Sequence, residues 1–352
     1  DGTVAVGKSA LENLTNGARN TAVGFQASTA LTTGVDNTSL GYTALDELVD
    51  GNYNTAIGAY ALGDMVGGTT SDGSSHNTAL GYNAAGGTWA DQDCSNLVAI
   101  GSGALRGALA GDTADGTVAI GSSALAALTS GQYNTAIGYN SMDEHLTGRA
   151  NTCLGWGTMS QSGGDTTAQD NTFIGASSGS GDWAGAGVDQ NTAVGYSTMT
   201  GAMNGANNNT ALGAHGLEAL TTGDGNVAVG AMAGDNVTDG DYNTLIGYQS
   251  GTEGQNLSTG NNNTLIGAYS DTNATNGVNQ TAIGYDATGQ QNNSVTLGNA
   301  AVTDVFMSSD SGALVHTTGI AFPASQVASG GANCLDDYEE GDWTGAFSDD
   351  ST

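Results

Sequence analysis

A four-residue word recurs along this chain: a β-branched residue, a small residue, an aliphatic residue, then glycine. Thr21-Ala22-Val23-Gly24, Thr135-Ala136-Ile137-Gly138 and Thr192-Ala193-Val194-Gly195 are three of seventeen copies within the first 298 residues. The closing glycines run from Gly7 to Gly298, mostly at intervals of 17 or 20, with single intervals of 14, 18 and 23. The residue before the glycine is Val, Ile or Leu in every copy, and the third before it is Thr or Val in every copy. The fourth before it is Asn in twelve of the seventeen. Such a word reads as a short strand, because side chains alternate between two faces along a strand. A period this short cannot bury a core alone, so the units must stack. The expected fold is all-β, a parallel β-solenoid of about 17 short coils over residues 1–298, with a small C-terminal β segment over 299–352.

Alternation places the β-branched and aliphatic residues on one face and the Ala and Asn on the other. The aliphatic residues Val23, Ile57, Ile137 and Ile246 are expected to line the inside of the coil. The Ala face then needs a second cover, which another copy of the chain would supply. The stacked Asn20, Asn37, Asn54, Asn134, Asn191 and Asn243 are expected to form an amide ladder along the axis. Gly24, Gly58, Gly138 and Gly247 are expected at bends that need positive φ or close backbone approach.

Directly after the glycine come Phe25, Tyr42, Tyr82, Tyr139, Trp156, Tyr196, Tyr248 and Tyr285. They form either a strip for stacking sugars or aromatic packing at a corner, and the second is the simpler reading. The second half of many repeats carries Leu at i and i+3, as in Leu45 and Leu48, which fits one helical turn, a tight bend or an irregular strand. Insertions in the longer repeats, for example 67–75 and 179–187, decorate one side of the rod.

Composition narrows the function. The 352 residues carry 58 glycines, one proline and a formal net charge of −31, from 35 acidic residues against four basic ones. In-register repetition of aliphatic positions argues against disorder despite the glycine content. The charge repels nucleic acid and anionic membranes, and no stretch approaches the roughly 20 apolar residues of a membrane span. Acidic turns such as Thr238-Asp239-Gly240-Asp241 raise the option of Ca2+ binding, although charge patterning favours simple solubility, and no other cofactor is expected. Cys94, Cys153 and Cys334 lack metal-ligand spacing. The four histidines recur in no repeat position, so no catalytic constellation is read and the chain is expected not to be an enzyme. A flat exposed Thr array, the mark of an ice-binding solenoid, is not expected, because each Thr shares its face with the aliphatic residue assigned to the interior.

The Asn-Thr-Ala-Ile-Gly-Tyr words resemble the head repeats of trimeric autotransporter adhesins, and the long Ala-Leu-x-x-Leu-Thr-x-Gly variants resemble repeats of phage tail fibres. The resemblance covers 1–298, with longer coils here, and implies a parallel β-roll in which three chains share one axis. The stretch from Gly319 to Ser329, followed by Asp336-Asp337-Tyr338-Glu339-Glu340-Gly341-Asp342-Trp343-Thr344, is similar to a junction in tail-fibre and virion-fibre proteins. There it leads into a distal domain through Trp-Thr-Pro; here Gly345 replaces the Pro. This implies a tip domain that is missing, cleaved or on another chain. The resemblance implies a homotrimeric fibre on a viral tail or virion. Its partners would be itself, other fibre or baseplate proteins and a host surface glycan or protein. The alternative is the head of a cell-surface adhesin or an extracellular filament.

Overall fold

A computed structural model describes residues 2–63, 73–89, 94–109, 114–160, 167–183 and 187–305. The chain divides into two units, Asp1–Thr303 and Asp304–Thr352. The junction stretch from Gly319 onward, and parts of the insertions at 67–75 and 179–187, lie outside the described residues.

The first unit is a parallel β-solenoid with one short strand per coil. Its seventeen strands, from β1 (Val4–Val6) to β17 (Ser294–Leu297), form one sheet in which every strand pairs in parallel with that of the next coil. The register is residue for residue: Thr21 faces Thr38, Ala22 faces Ser39 and Val23 faces Leu40. Most strands are only three residues long because the glycine after the aliphatic residue leaves the extended conformation. No helix occurs among the described residues. The Leu pairs of the second half close tight bends, with the Leu14 amide donating to the Leu11 carbonyl at 3.1 Å and the Leu220 amide to the Leu217 carbonyl at 3.2 Å.

The turn segment holds its shape by placing alternate residues in the left-handed region. Gln26 at φ 56° and Ser28 at φ 50° follow Gly24, and Thr43 at φ 46° and Leu45 at φ 55° follow Gly41. Each such non-glycine residue costs about 1–2 kcal/mol in isolation. Coil-to-coil hydrogen bonds offset that cost, as where the Gln26 amide donates to Lys8 and the Ser28 amide to Ala44.

The closing glycines meet both expectations set for them, positive φ and close approach. Gly24 lies at φ 146° and Gly138 at φ 141°. A Cβ on Gly24 would run into the carbonyl of Gly41, and one on Gly138 into the carbonyl of Gly155. The column of glycines is therefore where successive coils touch backbone to backbone.

The interior differs from expectation in which strand face it takes. Ala22, Ala56, Ala136 and Ala228 point inward and are buried, while Val23, Ile57 and Ile137 are only half-buried and Ile246 is exposed. The reason is the thinness of the coil. Leucines from the opposite turn, such as Leu45, Leu48, Leu125 and Leu128, fill the space with no exposure, leaving room opposite them for little more than a methyl group. Departures from Ala obey the same volume rule. Phe173 replaces Ala in β10 (Thr172–Ile174), and Gly179 stands across from it, where a Cβ would lie 2.8 Å from the phenyl ring. Leu245 is matched in the same way by Gly234, where a Cβ would lie 2.6 Å from it. Two buried tryptophans, Trp89 and Trp183, fill coils with longer repeats, and Trp183 packs 5.7 Å from Phe173 between ring centroids.

Candidate functional site: the outward sheet face and its aromatic edge

Two ladders line the strand. On the inside, the Asn side chains are buried and every polar group is used. Asn20 Nδ2 donates to the Gly34 carbonyl at 2.7 Å, while Asn20 Oδ1 accepts from the Asn37 amide at 2.9 Å and from Asn37 Nδ2 at 3.2 Å. The same pattern runs through Asn54, through Asn134 to Asn151, and through Asn191 and Asn243. Leu97 and Thr117 interrupt it; there the Thr117 amide turns back to the Ala114 carbonyl at 3.2 Å. The ladder is structural, since nothing on it reaches solvent.

On the outside, the Thr or Val and the aliphatic residue of each strand form two parallel ranks. Leu40, Leu80, Leu154 and Leu212 are 44–49% exposed, and the Thr rank is half-buried or exposed. This reverses the premise used against an exposed Thr array: the Thr residues do face outward. Adjacent strands lie about 4.8 Å apart and residues along a strand about 3.3 Å, so seventeen three-residue strands make a plane of roughly 800 Å². An uncharged surface of that extent, one rank aliphatic and the other mostly Thr, is larger than scattered exposed side chains require.

The aromatic edge follows the glycine column. Tyr42, Tyr82, Tyr139, Trp156, Tyr196, Tyr248 and Tyr285 are all exposed, from 43% at Tyr248 to 64% at Tyr285. Several also stack on one another: Phe25 and Tyr42 lie parallel at 5.3 Å, and Tyr60 meets Tyr42 and Tyr82 edge-on at 5.4 and 5.8 Å. Tyr269 bridges Tyr248 and Tyr285 in the same way, and His215 packs edge-on against Tyr196. Sequence reading missed Tyr60, Tyr269 and His215 because they stand two residues after the glycine, not one. Lys8 sits 5.7 Å over the Phe25 ring.

The acidic turn proposed for a cation has its carboxylates engaged by the chain itself. Asp239 Oδ1 accepts from the hydroxyls of Thr221 at 2.6 Å and Thr222 at 2.8 Å, which together hold its acid below the usual range. Asp241 Oδ1 accepts from the Asp224 amide at 2.9 Å. Among the described residues no three His, Cys, Asp or Glu side chains gather as metal ligands, and no helix is long and apolar enough to cross a membrane. Cys94 and Cys153 are buried, and burial pushes the Cys153 thiol well above its ordinary value.

No protein-family model matches this chain, and no curated protein is significantly similar to it.

Proposed function

We propose that this chain is the shaft of a homotrimeric, non-enzymatic fibre on a viral tail or virion, projecting toward a host surface for attachment. The observation that carries this reading is the outward sheet face, a regular uncharged plane of one aliphatic and one mostly Thr rank over seventeen coils. At roughly 800 Å² it matches what one partner contributes to a stable interface. Aliphatic ranks repeating at one strand spacing are self-complementary, so an identical chain is the natural cover. Three copies is the number that the resemblance of the repeats implies. The charge of −31 keeps such rods apart elsewhere on their surface. Light scattering tests it: three chains of 34.7 kDa weigh about 104 kDa, and a triple substitution Ile120→Glu, Ile137→Glu and Leu154→Glu should yield monomers with the far-UV β signal retained. A wild-type chain that stays monomeric at micromolar concentration refutes the self-association. The same shaft on a cell-surface adhesin or an extracellular filament would behave identically in this test. Labelling of intact virions with an antibody to the shaft separates the two.

A second reading has its own observation, the outward Thr rank. Methyl and hydroxyl groups at about 4.8 Å on a rigid plane can order water, as an ice-binding face must. A monomer that shows thermal hysteresis, abolished by Thr135→Lys, supports that reading against the fibre; a trimer without hysteresis disposes of it.

A further inference from the structure

Where the coils of β8 (Thr135–Ile137), β9 (Thr152–Leu154) and β10 stack, the surface opens into a groove of about 330 Å³. That lies at the low end of the ~300–1,000 Å³ typical of small-molecule sites. The first coil contributes Asn140, Asp143 and Glu144, the second Trp156, Gly157 and Ser160, and the third Ser177 and Ser180. Trp156 is 58% exposed. In the run from Phe25 to Tyr82, successive rings pack on one another. After Trp156 the next coil instead places Ala176 and Ser177, too small to take over the indole. Gly157, at φ 57°, adds no side chain to the groove, and a Cβ there would meet only the Ser160 side chain, at 3.6 Å and beyond. One wall carries two adjacent carboxylates, the half-buried Asp143 and the exposed Glu144.

We infer that this groove binds an uncharged pyranose unit, its apolar ring face stacked on Trp156 and its hydroxyls donating to Asp143 and Glu144. The indole supplies the flat, electron-rich surface that the C–H face of a sugar ring packs against. Carboxylates accept from hydroxyls more strongly than neutral groups do. Ser160, Ser177, Ser180 and Asn140 can each donate or accept around the ring. No Lys or Arg lines the groove, so a uronate or sialate would meet two carboxylates without a counter-charge. All eight residues follow a closing glycine and so lie outside the strand face assigned to self-association. The inference rests on the reading of this chain as a fibre that meets a glycan-bearing surface, and it names the ligand class on the shaft.

Saturation-transfer NMR on the full chain tests it, with millimolar methyl glucoside, methyl galactoside, methyl mannoside and N-acetylglucosamine as probes and glucuronate as the anionic control. At least one neutral pyranoside should give a saturable signal that weakens about tenfold in Trp156→Ala, as loss of an aromatic stacking partner implies. Ser177→Trp, which fills the groove while leaving Trp156 in place, should abolish it. Glucuronate should bind more weakly than its neutral counterpart. If no neutral pyranoside gives a Trp156-dependent signal, or if glucuronate binds best, the inference is overturned. Light scattering on the same samples keeps the two proposals apart, because a trimer that binds no sugar rejects the groove and leaves the fibre standing.

Discussion

Removing one rung of the inner ladder should weaken the solenoid locally and by a large amount. In Asn226→Ala, the residue just before β13 (Val227–Val229), two buried groups lose their partners. The Asn243 amide, at 3.0 Å, loses Asn226 Oδ1, and the Gly240 carbonyl, at 2.7 Å, loses Asn226 Nδ2. Two other groups keep one partner each: Asn209 Oδ1 still accepts from the backbone amide of residue 226, and Asn243 Nδ2 still donates to Gly260. Two orphans at about 1–3 kcal/mol each give about 4 kcal/mol, before any cavity contribution. Because a repeat array opens coil by coil, the measurement is amide hydrogen exchange, not a single melting temperature. Protection of amides in residues 209–246 should fall about a thousandfold, with the coils near β2 (Thr21–Val23) unaffected. The natural break at Leu97 is tolerated because the Thr117 amide it leaves without an Oδ1 turns back to Ala114, a route not used by the Asn243 amide. A loss of protection below about fivefold would show that these buried amides are readily replaced, and the ladder argument would fail.

Other outcomes follow from the same geometry. Gly138→Ala should prevent the two flanking coils from forming, since the added Cβ meets the Gly155 carbonyl; soluble, trimeric protein with wild-type exchange would contradict it. Ala136→Leu should unfold its coil by overpacking, typically about 1–3 kcal/mol or more, whereas Ile137→Ala should spare the coil and weaken association, read by exchange and light scattering. Burial raises the acids of Asp143 and Asp271 to about 6, so the folded state holds protons that the unfolded state has released between about pH 4 and pH 6. Their contribution to stability is present below pH 4 and lost as pH rises through 6, so urea midpoints should fall over that window. Asp239, held low by the Thr hydroxyls, acts in the opposite sense and only below about pH 4.

Period, strand position and the glycine column were legible because each is a backbone requirement that forces a residue type. Only glycine survives where the carbonyl of Gly41 occupies the Cβ position of Gly24, and so the closing glycine recurs in all seventeen copies. Which strand face lies inside was not legible. Hydrophobicity alone ranks Ile137 above Ala136 for burial, and the ranking reverses because Leu125 and Leu128 already fill the coil from the opposite wall. A paired signal was available: where the small residue becomes Phe173, the facing corner becomes Gly179. The groove beside Trp156 could not be read at all, because it depends on how three successive turns superpose.

The balance of Phe173 against Gly179, and of Leu245 against Gly234 in the coil before it, means that interior volume is settled within a coil or between adjacent coils. A gene encoding such a protein can gain or lose a complete turn of the spiral at the cost of repacking only the turns on either side. Extra residues are accommodated between words, as the intervals of 20 and 23 show, but never inside one. The number of turns is thus the adjustable character of this architecture, while the word within each turn is not.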